Sequence, residues 1–307
     1  MVFLTGWRDC GTIPHVPRLL ILLSAVCFGT TGTAQALGPA ASPATVGAAR
    51  IAVGGALLLL VARAFPLSSA AWPGRELAVI ALAVAVYQLA FFAAVHRTGV
   101  AVGTVVALGS APAIAGVAGR LADREPLTRR WALATALACG GVLLLVLGGG
   151  GASVDPLGVA LAVTSGSGYA TYTVLAKRLL RRGHAPERVM AAAFASGAVL
   201  LLPVLALGDA GWLTTTDGLL LALFLGAVPT TLAYVLFARG LRSLTPGETA
   251  TLTLAEPLTA TGLGILVLGE RPGLVAGIGA GLVLAGLLAL AAPSRARARL
   301  VPVPARA

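Results

Sequence analysis

Charge is scarce in this chain. Asp, Glu, Lys and Arg make up only 11% of its 307 residues, against roughly a quarter in an ordinary globular domain. Hydrophobic residues make up 58%, and the mean hydropathy is +0.94. A water-soluble fold of this length could not hide so much apolar area, so that class is excluded first. Cysteine is nearly absent. Cys10, Cys27 and Cys139 are odd in number and scattered, which excludes a disulfide framework and a metal-ligand spacing. Long polar stretches are missing too: the longest connection between apolar runs is about a dozen residues, too short for a soluble domain. No phosphate-cradling P-loop occurs, which argues against ATP-driven work by this chain alone. No cofactor or metal is expected.

What is present is a succession of apolar runs. A membrane-crossing helix needs about 20 apolar residues. Ten stretches qualify: roughly 18–37, 44–62, 76–95, 99–119, 130–149, 157–177, 188–207, 217–237, 245–268 and 273–292. The expected fold class is an all-α integral membrane protein. Turn residues in "LGPAASPAT" divide the first two runs, which otherwise share the charge-free stretch 19–49. Lys and Arg gather between the runs. Orientation in the lipid bilayer therefore explains the net charge of +11 better than nucleic-acid binding does. With the N-terminus inside, 18 of the 22 Lys and Arg fall on inner segments, Arg271 among them. Three fall outside (Arg97, Arg239 and Arg242), and Arg50 lies within a run. Both termini are then expected to be cytoplasmic, at a plasma (inner) membrane. The basic tail "SRARAR" would rest on its anionic surface. The start of the chain also fits a cleaved signal peptide.

An internal repeat favours a retained first helix. Pro112 and Pro257 are 145 residues apart, as are Glu125 and Glu270, Arg97 and Arg242, and Gly141 and Gly286. Ser24, Phe28 and Thr31 match Ser165, Tyr169 and Tyr172, each 141 apart. Five helices per repeat is an odd number, so the second half enters the membrane from the opposite face. Such inverted repeats are characteristic of secondary transporters, with a substrate site near the midplane. The expected organisation is a cytoplasmic segment 1–17, a first five-helix unit 18–149, an outer linker 150–156, a second unit 157–292 and a basic tail 293–307.

The segment "VALGSAPAIAGVAGRLADREPLTRRWALATALACGGVLLL", echoed by "LAEPLTATGLGILVLGERPGLVAGIGAGLVLAGLLAL", resembles the EamA-type drug/metabolite transporter superfamily. The likeness covers residues 18–292. It departs at "LADREP", where the family more often has an apolar pair and Gly before Glu. The resemblance implies a ten-helix 5+5 transporter, usually an exporter of amino acids or other small metabolites. It also implies a cavity enclosed by helices one to four and six to nine.

Glu256 is the most telling single residue. It lies about 17 Å along its run, near the bilayer centre, where an ionised carboxylate is costly unless paired or wet. Thr249, Thr253 and Thr259 fall at −7, −3 and +3, on the same helical face. Pro257 deprives the Thr253 carbonyl of its helical partner, as Pro112 does in the first half. Glu256 either exchanges a proton during transport or pins the two halves together. Arg50 either snorkels to the surface, pairs with Glu256 or attracts a substrate carboxylate. Phe28, Thr31 and Gln35, then Ser165, Tyr169 and Tyr172, form stripes at helical spacing that fit a cavity wall. Tyr87, Gln88, Phe91 and Tyr234 are similar candidates. For all of these the alternative is packing between helices. Glu125 and Glu270 are expected in salt bridges at the inner ends of the fourth and ninth helices. Trp131 and Trp212 are expected as interfacial anchors. Small residues at Gly273, Gly277 and Gly281 fit a homodimer contact.

These features point to a secondary exporter of small amphipathic molecules, with proton coupling through Glu256. An uncoupled facilitator of the same fold is the alternative. An intramembrane enzyme would need clustered His, Asp or nucleophile pairs that the runs lack, and a receptor would need a larger soluble part.

Overall fold

The computed structural model describes residues 15–68, 70–147, 155–269, 271 and 273–291. Regular structure among them is entirely helical. In chain order the helices are α1 (Val16–Leu37), α2 (Pro43–Ala62), α3 (Gly74–Gly99), α4 (Val102–Asp123), α5 (Arg129–Leu147), α6 (Pro156–Arg181), α7 (Pro186–Leu207), α8 (Thr216–Leu241), α9 (Pro246–Leu268) and α10 (Leu274–Ala291). Eight are long and apolar enough to cross a membrane; α5 and α6 stand outside those eight. α6 is diluted by hydroxyl-bearing residues from Thr164 to Thr173.

Local chemistry sets the boundaries. Proline opens α2, α6, α7 and α9, where the missing N–H costs nothing. Asp155 caps α6 by accepting from Leu157 N at 3.0 Å, and it also accepts from Arg97 at 3.0 Å. The Arg97 bond holds its carboxyl below the usual carboxylate range. Thr245 and Glu248 form a reciprocal capping box at the start of α9. Gly99, at φ 77° and ψ 162°, breaks α3 from α4 in a conformation that favours glycine.

The helices pack in related pairs. α2 lies along α7, and α5 along α10; α1 meets α8 and α9, and α6 meets α3 and α4. Exchanging the first five helices with the last five leaves this set of contacts unchanged. The α5–α10 crossing is especially close. A Cβ on Gly279 would sit 2.6 Å from the Gly141 carbonyl oxygen, and one on Gly141 would sit 2.6 Å from that of Gly279. The repeated Gly286 meets α5 the same way, 2.6 Å from the Ala134 oxygen. Gly277 and Gly281 face open space.

Two expectations about the ends of the bundle are overturned. Lys177, at the end of α6, donates to the Leu241 and Arg242 carbonyls at 2.8 Å each, and Arg239 bonds Glu187 at the start of α7 at 2.7 Å. Arg239 and Arg242 therefore lie at the same end as the α4–α5 and α6–α7 connections. α9 starts at that basic end and runs away from it, so Arg271 belongs to the opposite end. Among the described residues the division of Lys and Arg becomes 14 against two, with Arg50 within a helix. Of the pair Glu125 and Glu270, only Glu125 can be placed, at the basic end. Pro246, at the start of α9, lies beside Glu125, so the far end of α9 points away from it. Glu270 itself, the tail 293–307 and most of the 1–17 and 150–156 segments lie outside the described residues. Arg18 and Arg130 both reach the last carbonyls of α10, which places the described N- and C-terminal ends together at the basic end.

The two tryptophans are not lipid-facing anchors. Trp131 lies against Gly116 and Gly247, and Trp212 donates to Thr45 Oγ1 at 3.1 Å; both are buried. An indole that fills a gap between helices buries more area there than at an interface.

Candidate functional site

A cavity of about 440 Å³ lies between the two halves, within the range of small-molecule sites. Its lining starts at mid-bundle and reaches the end opposite the basic one, where Gln35, Pro43, Val95 and Thr104 lie close to helix ends. The walls come from α1, α2, α3, α4, α6, α8 and α9.

Most of the residues singled out from the sequence meet here. Phe28, Thr31, Gln35, Arg50, Tyr87, Gln88, Phe91, Ser165, Tyr169, Tyr234, Thr253 and Glu256 all line the cavity. Four others do not. Tyr172 is fully buried one layer away, its ring centre 5.2 Å from Tyr169 and 6.3 Å from Tyr234. Thr249 is buried beneath the wall. Pro257 is buried next to Glu256, and Pro112 is buried inside an uninterrupted α4. Thr259 also leaves the expected stripe and packs against Gly29 of α1. The reason is local. α9 loses regular helix at Leu254, where ψ is −1°, because Pro257 offers no N–H to the Thr253 carbonyl. The turn rotates the two halves of α9, so positions −7 and +3 no longer share a face with Glu256.

The cavity is polar at chosen points only. Arg50 donates to Gln88 Oε1 at 3.2 Å and forms no salt bridge with a carboxylate among the described residues. Of the three roles open to Arg50, a salt bridge with Glu256 is not formed among the described residues, although both groups face the same space. Glu256 accepts no hydrogen bond within the described residues and is only partly buried, since its carboxylate looks into the cavity. On the floor, the Tyr87 and Tyr234 hydroxyls lie 3.3 Å apart, and Tyr169 Oη lies 3.3 Å from Thr253 Oγ1. Phe28 and Phe194 flank the Tyr234 ring at 4.9 and 3.9 Å. Ser165 donates to the Tyr87 carbonyl at 2.8 Å and fixes α6 to α3.

A π turn shapes this floor. Pro229 cannot donate to the Leu225 carbonyl. Residues Ala227–Leu232 widen into π geometry, and the Thr230 hydroxyl donates to Leu225 O at 2.8 Å instead. The extra residue resets the face that Tyr234 presents. Such bulges often mark functional sites.

Several lining residues escaped the sequence reading. Gln88, Phe91, Phe92 and Val95 follow the i, i+3, i+4, i+7 spacing, as do Thr104, Ala107, Leu108 and Ala111. Carrying the period past Phe91 would have found Phe92 and Val95. The second set is apolar except for Thr104 and has no signal separating a cavity wall from a lipid face. Among the described residues, no three His, Cys, Asp or Glu side chains gather as a metal site would require.

The comparisons with known proteins now apply. The sequence pattern of the EamA-like transporter family matches residues 17–147 and again 156–292. The chain belongs to this family. It is 39% identical to the uncharacterized transporter YwfM of Bacillus subtilis over 285 residues, 92% of this chain and 95% of that one. An uncharacterized transporter of Archaeoglobus fulgidus is 35% identical over 133 residues, 43% of this chain and 46% of that one. One solved crystal structure superposes with a TM-score of 0.78 at 19% identity, covering 89% of this chain and 95% of that one. That last likeness concerns the fold alone. The family and its relatives make the chain a multi-pass membrane transporter.

Proposed function

We propose that the chain is a secondary exporter of small amphipathic metabolites, amino acids among them, coupled to protons through Glu256. The observation that carries this reading is one carboxylate, with no hydrogen bond or salt bridge among the described residues, facing a cavity of about 440 Å³ between two related halves. A carboxylate near the membrane centre that forms no salt bridge and accepts no hydrogen bond among the described residues changes its proton occupancy when water or substrate enters. Arg50, held by Gln88 and in salt bridge with no acid among the described residues, offers the opposite charge for a substrate's carboxylate. The aromatic floor accepts the apolar part.

In this reading all ten helices span the inner membrane as two inverted five-helix units, 18–149 and 157–292, with the linker 150–156 outside. Both termini are cytoplasmic, because the basic end carries 14 of the described Lys and Arg against two at the other end. A second copy would meet the open Gly273, Gly277 and Gly281 face of α10; crosslinking that finds only monomers in native membranes removes that assembly.

The test is export of a mixed metabolite pool from proteoliposomes, with and without a proton gradient, for the wild type and Glu256→Gln. Gradient-driven export lost in the variant supports the reading. A variant that still follows the gradient makes Glu256 structural, and export blind to the gradient in both proteins makes the chain a facilitator.

A further inference from the structure

The two ends of this bundle are built differently, although the halves are related. At the basic end, the last turn of α6 and the residue after it reach three neighbours. Lys177 is buried and donates to the Leu241 and Arg242 carbonyls at 2.8 Å each, where the negative end of the α8 dipole lies. Arg178 holds Asp123 at the end of α4 at 3.0 Å, and Arg181 holds the buried Glu125 just beyond it. Arg182 grips Glu76 of α3 through two bonds of 2.8 Å.

The repeat supplies a comparison within the same chain. At the 141-residue offset that matches Ser24 to Ser165, the counterparts of Lys177, Arg178, Arg181 and Arg182 are Ala36, Leu37, Ala40 and Ala41. The end of α1 therefore carries no charge with which to close the opposite side. Among the described residues, that side has one ion pair, Arg97–Asp155, against four at the basic end. The cavity reaches the side without the cluster.

We infer that the end of α6 is a one-sided clamp, with Lys177 as its positioning residue. It holds α3, α4 and α8 together at the basic end and so sets which side of the membrane the empty cavity faces. In a transporter whose halves exchange roles, two such states would be equally stable if the halves were identical. The four basic residues present in one repeat and missing from the other remove that equality. The clamp rests on the alternating-access reading above, but it adds a resting direction and names the groups that fix it.

The test reads accessibility and needs no substrate. Ala111→Cys, on the cavity wall, is placed in a chain with Cys10, Cys27 and Cys139 changed to Ser. A membrane-impermeant maleimide is then applied to either face of oriented vesicles. Wild type is expected to label from the face opposite the basic end. Lys177→Met is expected to raise labelling from the basic face by about tenfold, as a shifted two-state population does, and Lys177→Arg to restore most of the wild-type pattern. If Lys177→Met fails to fold, Arg178→Gln carries the same expectation through Asp123. Unchanged labelling in folded variants overturns the clamp. Transport by the wild type, measured in parallel, judges the reading beneath it: intact transport with unchanged labelling sinks the clamp alone, and absent transport sinks the proposed alternating-access export instead.

Discussion

Tyr87 of α3 and Tyr234 of α8 meet hydroxyl to hydroxyl at 3.3 Å on the cavity floor. The two helices occupy equivalent places in the two halves, so this contact joins the repeats at their seam. On the core side, Tyr172, Phe194 and Phe237 pack around the Tyr234 ring. A double-mutant cycle of Tyr87→Phe and Tyr234→Phe is expected to show a coupling of about 1 kcal/mol in thermal stability. Additive losses would mean that the hydroxyls do not depend on each other.

Two glycines of α10 should behave in opposite ways. A Cβ at Gly279 would lie 2.3 Å from Leu145 N and 2.6 Å from Gly141 O, both backbone atoms that cannot rotate aside. Gly279→Ala is expected to push α5 from α10 and to cost about 1–3 kcal/mol. Gly277 meets nothing within 4 Å. Gly277→Ala is expected to be neutral or to stabilise by about 0.5–1 kcal/mol through helix propensity. Melting temperatures in one detergent check both.

The helices were legible because apolar run length and proline starts are local signals. α2, expected over 44–62, runs Pro43–Ala62, and α9, expected over 245–268, runs Pro246–Leu268. α4, α6 and α8 overshoot their apolar runs by up to four residues. Apolarity marks the bilayer, whereas a helix continues while its backbone bonds persist, and the overshoot carries Asp123, Arg178 and Arg181. The sides of the bundle were half legible. Counting charges needs only the order of the runs, but inverted repeats put equivalent residues at opposite ends. That inversion is why Arg242 was grouped with Arg97 at the wrong end. The cavity residues were legible wherever a polar group kept helical spacing. The π turn at Pro229 and the rotation at Leu254 were not, since each depends on how one missing N–H is compensated.

His184 gives the basic end a dependence on pH. It is buried in the connection after α6, with its ring centre 4.2 Å from that of Trp72. Burial pushes its pKa below the ordinary value, and the neighbouring Arg182 charge adds to the effect. A base with a depressed folded pKa contributes stability that is present above its unfolded value, about 6.5, and is lost as pH falls through the folded value. Wild type is therefore expected to lose melting temperature on acidification from pH about 7 to about 5, and His184→Gln to lose less. Parallel curves would show that His184 does not titrate in this interval.

The central claim is that Glu256 carries a proton across the cavity in exchange for substrate. Its most direct test is the pH inside proteoliposomes, followed with a trapped dye while a gradient of a transported substrate is imposed and no proton gradient is applied. The account predicts a pH change that scales with substrate in the wild type. It predicts none in Glu256→Gln, which should still exchange labelled for unlabelled substrate. A pH change of equal size in the variant, or none in a wild type that moves the substrate, would contradict it.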